Sequence, residues 1–312
     1  MNAAILAAGL GTRLLPLTRK KAKPLVPVLN RPLLGVLLAQ LRAAGFVRVA
    51  VNIHHQAQAV RRFLNAGDWG LEIILSEEQE LLGTAGGLKK LGELLGPGPF
   101  LAINGDVLTD LDLAAIFREH REGRLATLVL HDCPPHNHVW VGKGGMVRGI
   151  GSIPAAKGLP LAYTGIQVTG PELLDRLPAG NYDLVKAWQE AIAQGGRLIG
   201  KVFSEHFWQD LGTPAAYLAA HRRLLKGDAP GLAPFLPART DPLLGPGVKI
   251  GPGVEFLGGV CLGAEVEVGE GASLKNTVVW DRACIAPGVR LESCIVAAGV
   301  QIADSAQGAV LG

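Results

Sequence analysis

Towards the C-terminal end of this chain, apolar residues recur every six positions. Val254, Val260, Val266, Ala272, Val278 and Cys284 form one series, and Ile250, Phe256, Leu262, Val268 and Leu274 a second; one-residue slips lead on to Val289, Ile295, Val300 and Ala306. An α-helix repeats about every 3.6 residues and a half-buried strand every second residue, so neither produces this interval. With glycines near the corners, each hexapeptide reads as one flat side of a coil, and stacked coils build a parallel β-helix over 248–312.

The pattern is similar to that of left-handed hexapeptide β-helices. Ahead of it, the Pro/Gly-rich stretch 226–247, "KGDAPGLAPFLPARTDPLLGPG", reads as a linker. Residues 1–225 have a different texture. Short apolar runs at Ala3–Ala7, Val47–Ile53, Leu71–Leu75, Phe100–Ile103 and Leu125–Leu130 predict strands. Between them, Arg31–Ala44 (stopped by Gly45), Gln56–Asn65, Ala85–Leu95 and Leu111–Glu122 predict helices. Such alternation predicts an α/β fold: a Rossmann-like, mostly parallel sheet with helices on both faces, whose ligands sit beyond the carboxyl ends of the strands.

A net charge of +3 is too small to imply a nucleic-acid or membrane partner, and none is expected. Cys133, Cys261, Cys284 and Cys294 show neither zinc spacing nor a disulfide framework, and read as reduced thiols. No apolar run approaches the ~18 residues of a membrane span. The apolar start lacks the basic flank and cleavage site of a signal peptide, so a cytoplasmic location is expected.

Chemistry concentrates in "ILAAGLGTRLLPLTRKKAKPL", Ile5–Leu25. A Walker A loop ends in Gly-Lys-Ser/Thr and a dinucleotide fingerprint has a third glycine; Gly9-Leu10-Gly11-Thr12-Arg13-Leu14 has neither. It offers two glycines that admit an anion to backbone N–H groups, and then Arg13, a fixed fork of donors suited to phosphate. Lys23 follows, stiffened by Pro24.

The run L-A-A-G-x-G-T-R-L-x-P-L-T with K-P-L resembles the signature of sugar-1-phosphate nucleotidylyltransferases, the NDP-sugar pyrophosphorylases. "LLGTAGGL" (Leu81–Leu88), "NGD" (Asn104–Asp106), "YTGIQV" (Tyr163–Val168) and "WQDLGTP" (Trp208–Pro214) match further stations in order, so the similarity covers about the first 220 residues. The resemblance implies in-line attack of a sugar 1-phosphate on the α-phosphorus of a nucleoside triphosphate, with pyrophosphate leaving. Such a reaction asks a protein for positioning and charge neutralisation rather than covalent chemistry.

The same resemblance implies the site. Ala8, Gly9, Gly11, Thr12 and Arg13 would cradle the triphosphate, with Arg13 and Lys23 catalytic. Asp106 and Asp210 would hold Mg²⁺, a cation content with one or two carboxylates plus substrate phosphates. Gly83 and Thr84 would border the base and Glu78 would contact its edge, an acceptor suited to guanine or, less completely, uracil. Asn104, Lys157, Thr164 and Gly165 would serve the sugar phosphate, although the Glu-Lys-Pro many members carry ahead of this point is missing.

Other residues read as structural. Arg19, Lys20 and Lys21 suit a solvated loop, Asp110 and Asp112 a helix cap, and Trp140 and Trp188 packing. His131, Cys133, His136 and His138 match no common zinc spacing and read as a loop bordering the sugar pocket.

On substrates the details divide. "PPHNHVW", "YTGIQV" and "FWQDLGTPAAYLAAHRRLL" are similar to the branch that uridylates N-acetylmuramate 1-phosphate. The β-helix and Glu78 are similar to mannose-1-phosphate guanylyltransferases of envelope polysaccharide synthesis, and GTP with mannose 1-phosphate is the favoured pair. All eight histidines lie at or before His221, so the β-helix lacks the histidine base of hexapeptide acyltransferases; a homo-oligomerising role is expected of it. A non-catalytic nucleotide-sugar sensor is the rival class, disfavoured by the joint presence of Arg13, Lys23, Asp106 and Asp210.

Overall fold

A computed structural model describes residues 1–134, 136–151 and 158–312. In chain order the elements are β1 (Asn2–Leu6), β2 (Pro27–Val28), β3 (Arg31–Pro32), α1 (Leu33–Ala43), β4 (Arg48–Ile53), α2 (Ala57–Ala66), β5 (Glu72–Glu77), α3 (Gly83–Leu95), β6 (Phe100–Asn104) and β7 (Val107–Thr109). There follow α4 (Leu113–Arg118), β8 (Ala126–His131), β9 (Val139–Val141), β10 (Val147–Ile150), β11 (Leu159–Thr169), α5 (Pro171–Arg176), α6 (Leu184–Ala193), β12 (Leu198–Val202), β13 (Trp208–Asp210) and α7 (Pro214–Lys226). Short parallel strands fill the remainder of the chain.

The chain divides into two compact units. The first comprises Met1–Gly9, Leu37–Val107 and Leu111–Trp208, and the second Leu10–Val36, Leu108–Asp110 and Gln209–Gly312. The division does not follow the sequence boundary at 225: Leu10–Val36, which carries most of the signature loop, groups with the C-terminal coils.

The first unit is built on one sheet of order β10-β9-β11-β6-β1-β4-β5, with β8 joined to β11 and β12 to β8. Strands β6, β1, β4 and β5 run parallel, whereas β11 runs antiparallel to β6, β8 and β9. The core of β1 and the whole of β8 are buried residue after residue, as expected of strands covered on both faces. Helix α3 packs on β1 and β4 and α6 on β10, and Trp188 of α6 is fully buried against Tyr163. The carboxyl ends of β1, β4 and β6 lead into Ala7–Gly9, His54–Gln56 and Gly105–Asp106, where a parallel sheet places its ligands. Asp112 caps α4 by accepting from Ala115 N–H at 2.9 Å, and this cap starts the helix two residues later than the apolar pattern predicts.

The second unit contains a left-handed hexapeptide β-helix of three parallel stacks. In one stack Leu243 pairs with Cys261, Cys261 with Val278, Val278 with Ile295 and Ile295 with Val310. Its first strand, Leu243–Leu244, lies inside the stretch read as linker, and Leu232 in that stretch is fully buried. Asp241 anchors the entry, its carboxylate accepting from Gly259 N–H (2.6 Å) and Val260 N–H (3.0 Å).

The interior corrects the phase of the repeat. Val260, Leu262, Val266, Val268, Ala272 and Leu274 point inward, but the one-residue slip falls directly after Leu274. Val279, Ala283 and Ile285 therefore fill the core, not Val278 and Cys284, and Cys294 and Val296 replace Ile295. Ile250 is exposed. The sequence pattern misleads here because one outer face is apolar too: Cys261, Val278 and Ile295 point outward yet are buried. Segment 10–36 and α7 lie by that face. Asn30 Nδ2 donates to Leu262 O (2.7 Å), Lys21 Nζ stands 5.4 Å above the Trp280 ring, and Trp280 Nε1 donates to Tyr217 Oη (3.0 Å).

Candidate active site

In the first unit a buried carboxylate joins three segments. Glu78, directly after β5, is 4% exposed. Its Oε1 accepts from Asn52 Nδ2 (2.7 Å) and its Oε2 from Leu82 N–H (3.0 Å), while Asn52 Oδ1 accepts from Ala7 N–H (2.6 Å). His54 Nδ1–H donates to Glu78 O at 2.8 Å. The signature strand, the end of β4 and the start of α3 are thereby linked through two side chains.

The glycines of "LLGTAGGL" are accounted for by packing in the same place. Gly83 has φ +65°, and a Cβ on it would lie 2.5 Å from Tyr182 O. A Cβ on Gly86 would lie 2.0 Å from Gly180 O, and one on Gly87 2.8 Å from Asn52 Nδ2. Thr84 Oγ1 accepts from Leu184 N–H (3.0 Å), so its hydroxyl serves the junction with α6.

Asp106 sits half-buried after Gly105, whose N–H donates to Leu6 O (2.8 Å) and whose Cβ position would be 3.2 Å from Ala7 Cα. The Asn104–Asp106 turn is thus laid against the start of the signature loop. Gly165, φ +82°, brings the "YTG" turn to the same place: a Cβ there would stand 2.8 Å from Val107 Cγ2 and 3.0 Å from Asn104 Nδ2. Thr164 itself is fully buried, its hydroxyl donating to Val129 O (2.9 Å) and its carbonyl accepting from Trp208 Nε1 (2.8 Å). Gly9 is exposed, and nothing among the described residues lies within 4 Å of the Cβ position there, leaving room beside the backbone. Ala8 is nearly buried.

His131 packs edge-on to Trp208 (4.6 Å between centroids) and beside His206. Burial pushes its pKa down to about 4, with His206 adding to the shift, so the ring is neutral at pH 7. Among the described residues no three His, Cys, Asp or Glu side chains form a metal-binding group. Lys157 lies outside the described residues.

In the second unit Gly11, φ +67°, opens a 3-10 turn at Thr12–Leu14, and its carbonyl accepts from Thr18 Oγ1 (2.8 Å). A Cβ on Gly11 would lie 3.2 Å from Lys23 Cβ, so the turn bearing Arg13 and the one bearing Lys23 are in contact. Arg13 Nη2 stands 3.7 Å from Asp210 Oδ2, and Gly212 N–H donates to Asp210 Oδ1. Lys21 is half-buried by Trp280, and burial lowers its pKa despite the nearby Asp281.

The structure therefore groups Asn104, Asp106 and Gly165 with Ala7 in one unit, and Gly11, Arg13, Lys23 and Asp210 in the other. Reasoning from sequence passed over Asn52 and Gly212. A lone amide closing the apolar run "VRVAVNI" was a usable signal for the first, because a polar side chain in a buried strand must find a partner.

The chain matches the nucleotidyl transferase family over residues 2–146. Mannose-1-phosphate guanylyltransferase 1 of Arabidopsis thaliana is 30% identical over 97% of this chain and 82% of that protein. The UTP–glucose-1-phosphate uridylyltransferase of a Synechocystis strain is 29% identical over 95% of this chain and 87% of its own length. N-acetylmuramate α-1-phosphate uridylyltransferase of Neisseria meningitidis is 35% identical over 68% of this chain and 94% of that protein. The chain belongs to the sugar-1-phosphate nucleotidylyltransferase family and is an enzyme of that class.

Proposed function

We propose that the protein joins GTP to mannose 1-phosphate, releasing pyrophosphate. What supports this pair is a relative named for it, the Arabidopsis guanylyltransferase, 30% identical over 97% of the chain with the β-helix included; the extent of alignment does not separate it from the Synechocystis uridylyltransferase, which covers 95%. A UTP-dependent uridylyl transfer is the second reading, favoured by the Neisseria and Synechocystis uridylyltransferases.

In either reaction a phosphate oxygen of the sugar 1-phosphate attacks the α-phosphorus, and the bond to the β-phosphate oxygen breaks. The backbone at Gly9–Thr12 receives the triphosphate, and Arg13 and Lys23 neutralise the charge gathering on the departing pyrophosphate. Arg13 presents a planar fork to two oxygens and Lys23 a point charge. Asn104 and Gly165, which meet beside Asp106, border the sugar phosphate.

Asp106 and Asp210 are the residues that would hold Mg²⁺. Their donor chemistry fits: both are partly exposed carboxylates, and a cation that takes two carboxylates and fills its shell with phosphate and water requires no third acidic side chain. When bound, the cation would offset charge on the α-phosphate and orient it. No helix among the described residues is long and apolar enough to cross a membrane.

The test is pyrophosphate release from a panel of nucleoside triphosphates and sugar 1-phosphates, with Mg²⁺ and with EDTA. GTP with mannose 1-phosphate is expected to give the highest kcat/KM. A higher value for UTP with any sugar replaces the favoured pair with the second reading.

A further inference from the structure

We propose that Glu78 is a positioning residue of the nucleotide site and does not read the base. The family resemblance implies that its carboxylate contacts the base edge, but the fold engages it elsewhere. Both of its oxygens accept from the protein, Oε1 from Asn52 Nδ2 and Oε2 from Leu82 N–H, and the side chain is withdrawn from solvent.

Chemistry assigns the direction of every bond in this chain. Ala7 N–H can only donate, so the atom of Asn52 facing it is the carbonyl oxygen and the amide nitrogen is turned towards Glu78. Leu82 N–H can only donate as well, so Glu78 must present an acceptor at both ends. A carboxylate meets this demand without a proton. Helix α3 adds a second, independent constraint: the Cβ position of Gly87 is 2.8 Å from Asn52 Nδ2 and 3.2 Å from Glu78 Oε1, so the helix is seated directly on the pair. The consequence is mechanical. Ala7, from which the phosphate-binding turn departs, and Leu82, from which α3 departs, are joined directly through the side chains of Asn52 and Glu78, in addition to the sheet and the packing of α3.

The inference rests on nucleotidyl transfer but not on which base is used, because it concerns how any triphosphate is seated. It predicts that Glu78→Gln lowers kcat/KM for every accepted triphosphate by a common factor, roughly ten- to hundredfold, the rate equivalent of one or two lost buried hydrogen bonds. The ratio between GTP and UTP is left as in the parent protein.

Reversing the polarity provides the rescue. In Asn52→Asp/Glu78→Gln, the aspartate accepts from Ala7 N–H and from the glutamine amide, whose carbonyl accepts from Leu82 N–H. All three bonds return, and kcat/KM is expected to recover to within a few-fold of the parent while Glu78→Gln alone does not. Circular dichroism and thermal melts accompany the kinetics; if Glu78→Gln does not fold, the double variant decides by itself. A changed ratio between GTP and UTP in any folded variant overturns the proposal, and so does a double variant that fails to fold or stays as slow as Glu78→Gln. Failure of the favoured substrate pair shows in the parent protein's panel, and is thereby distinguished from failure of this inference.

Discussion

Arg13 Nη2 lies 3.7 Å from Asp210 Oδ2, with the two side chains 61% and 40% exposed. An ion pair this open to water is worth little to folding, about 0–1 kcal/mol. Arg13→Ala is therefore expected to leave the melting temperature within a degree or two while reducing kcat/KM by roughly a hundredfold or more, as when a group facing transition-state charge is removed. Arg13→Lys restores charge but not the fork, and is expected to recover only part of the loss. Steady-state kinetics beside differential scanning calorimetry check both; a stability loss matching the activity loss would assign the pair to folding.

Asp106→Asn tests the carboxylate in the first unit. The change preserves shape and removes charge, so folding is expected to survive while turnover at saturating Mg²⁺ falls by roughly two to three orders of magnitude. Titrating Mg²⁺ in the variant separates weakened cation binding, which excess cation partly repairs, from a lost contact to substrate, which it does not.

His221 links stability to pH. It is fully buried, Nδ1–H donating to Tyr217 O (2.9 Å) and Nε2 accepting from Leu29 N–H (3.2 Å), and burial pushes its pKa from 6.5 to about 4. The unfolded chain binds this proton more readily than the folded one between those values. The contribution is thus fully present above pH 6.5 and is lost as the pH falls towards 4. Its size is about 2–3 kcal/mol between pH 7.5 and 4.5. His131, also lowered to about 4, acts with the same sign. Urea titrations at the two pH values check this, and His221→Gln is expected to remove roughly that part of the difference.

The coils carry the signature loop's support. Trp280 is 3% exposed, donates to Tyr217 Oη and lies beneath Lys21, while Tyr217 Oη in turn donates to Pro27 O. Trp280→Ala is expected to cost roughly 3–5 kcal/mol. Because Pro27 and Lys21 flank Lys23, kcat should fall as well, although Trp280 belongs to the β-helix. An unchanged kcat in the folded variant would make the support purely structural.

How much of this was legible beforehand differs by element. The α/β alternation and the β-helix could be read because strand burial and the six-residue period each repeat many times, so single errors average out. The phase slip after Leu274 could not, because Val278 and Ile295 are apolar and buried although they lie outside the coil's own core, on the stack where Asn30 meets Cys261 and Leu262. Arg13 and Asp106 stood in motifs whose residue types suit phosphate and metal. Glu78 stood in one too, but spacing cannot reveal that Asn52 and Leu82 occupy its oxygens.

Gly212 shows what the motif "WQDLGTP" requires beyond its aspartate. Its N–H donates to Asp210 Oδ1, and a Cβ at this position would lie 2.5 Å from that oxygen and 2.6 Å from Arg13 Nη2. Both atoms belong to the ends of partly exposed side chains, which can retreat at small cost to folding but not without leaving their places. Gly212→Ala is accordingly expected to lower kcat/KM by roughly tenfold or more, from displacement of Arg13 and Asp210 together. Combined with Arg13→Ala it should add less than it costs alone, since the guanidinium it displaces is already gone and only the displacement of Asp210 is left. A double-mutant cycle on kcat/KM measures this, and full additivity would mean that Gly212 acts on something other than Arg13.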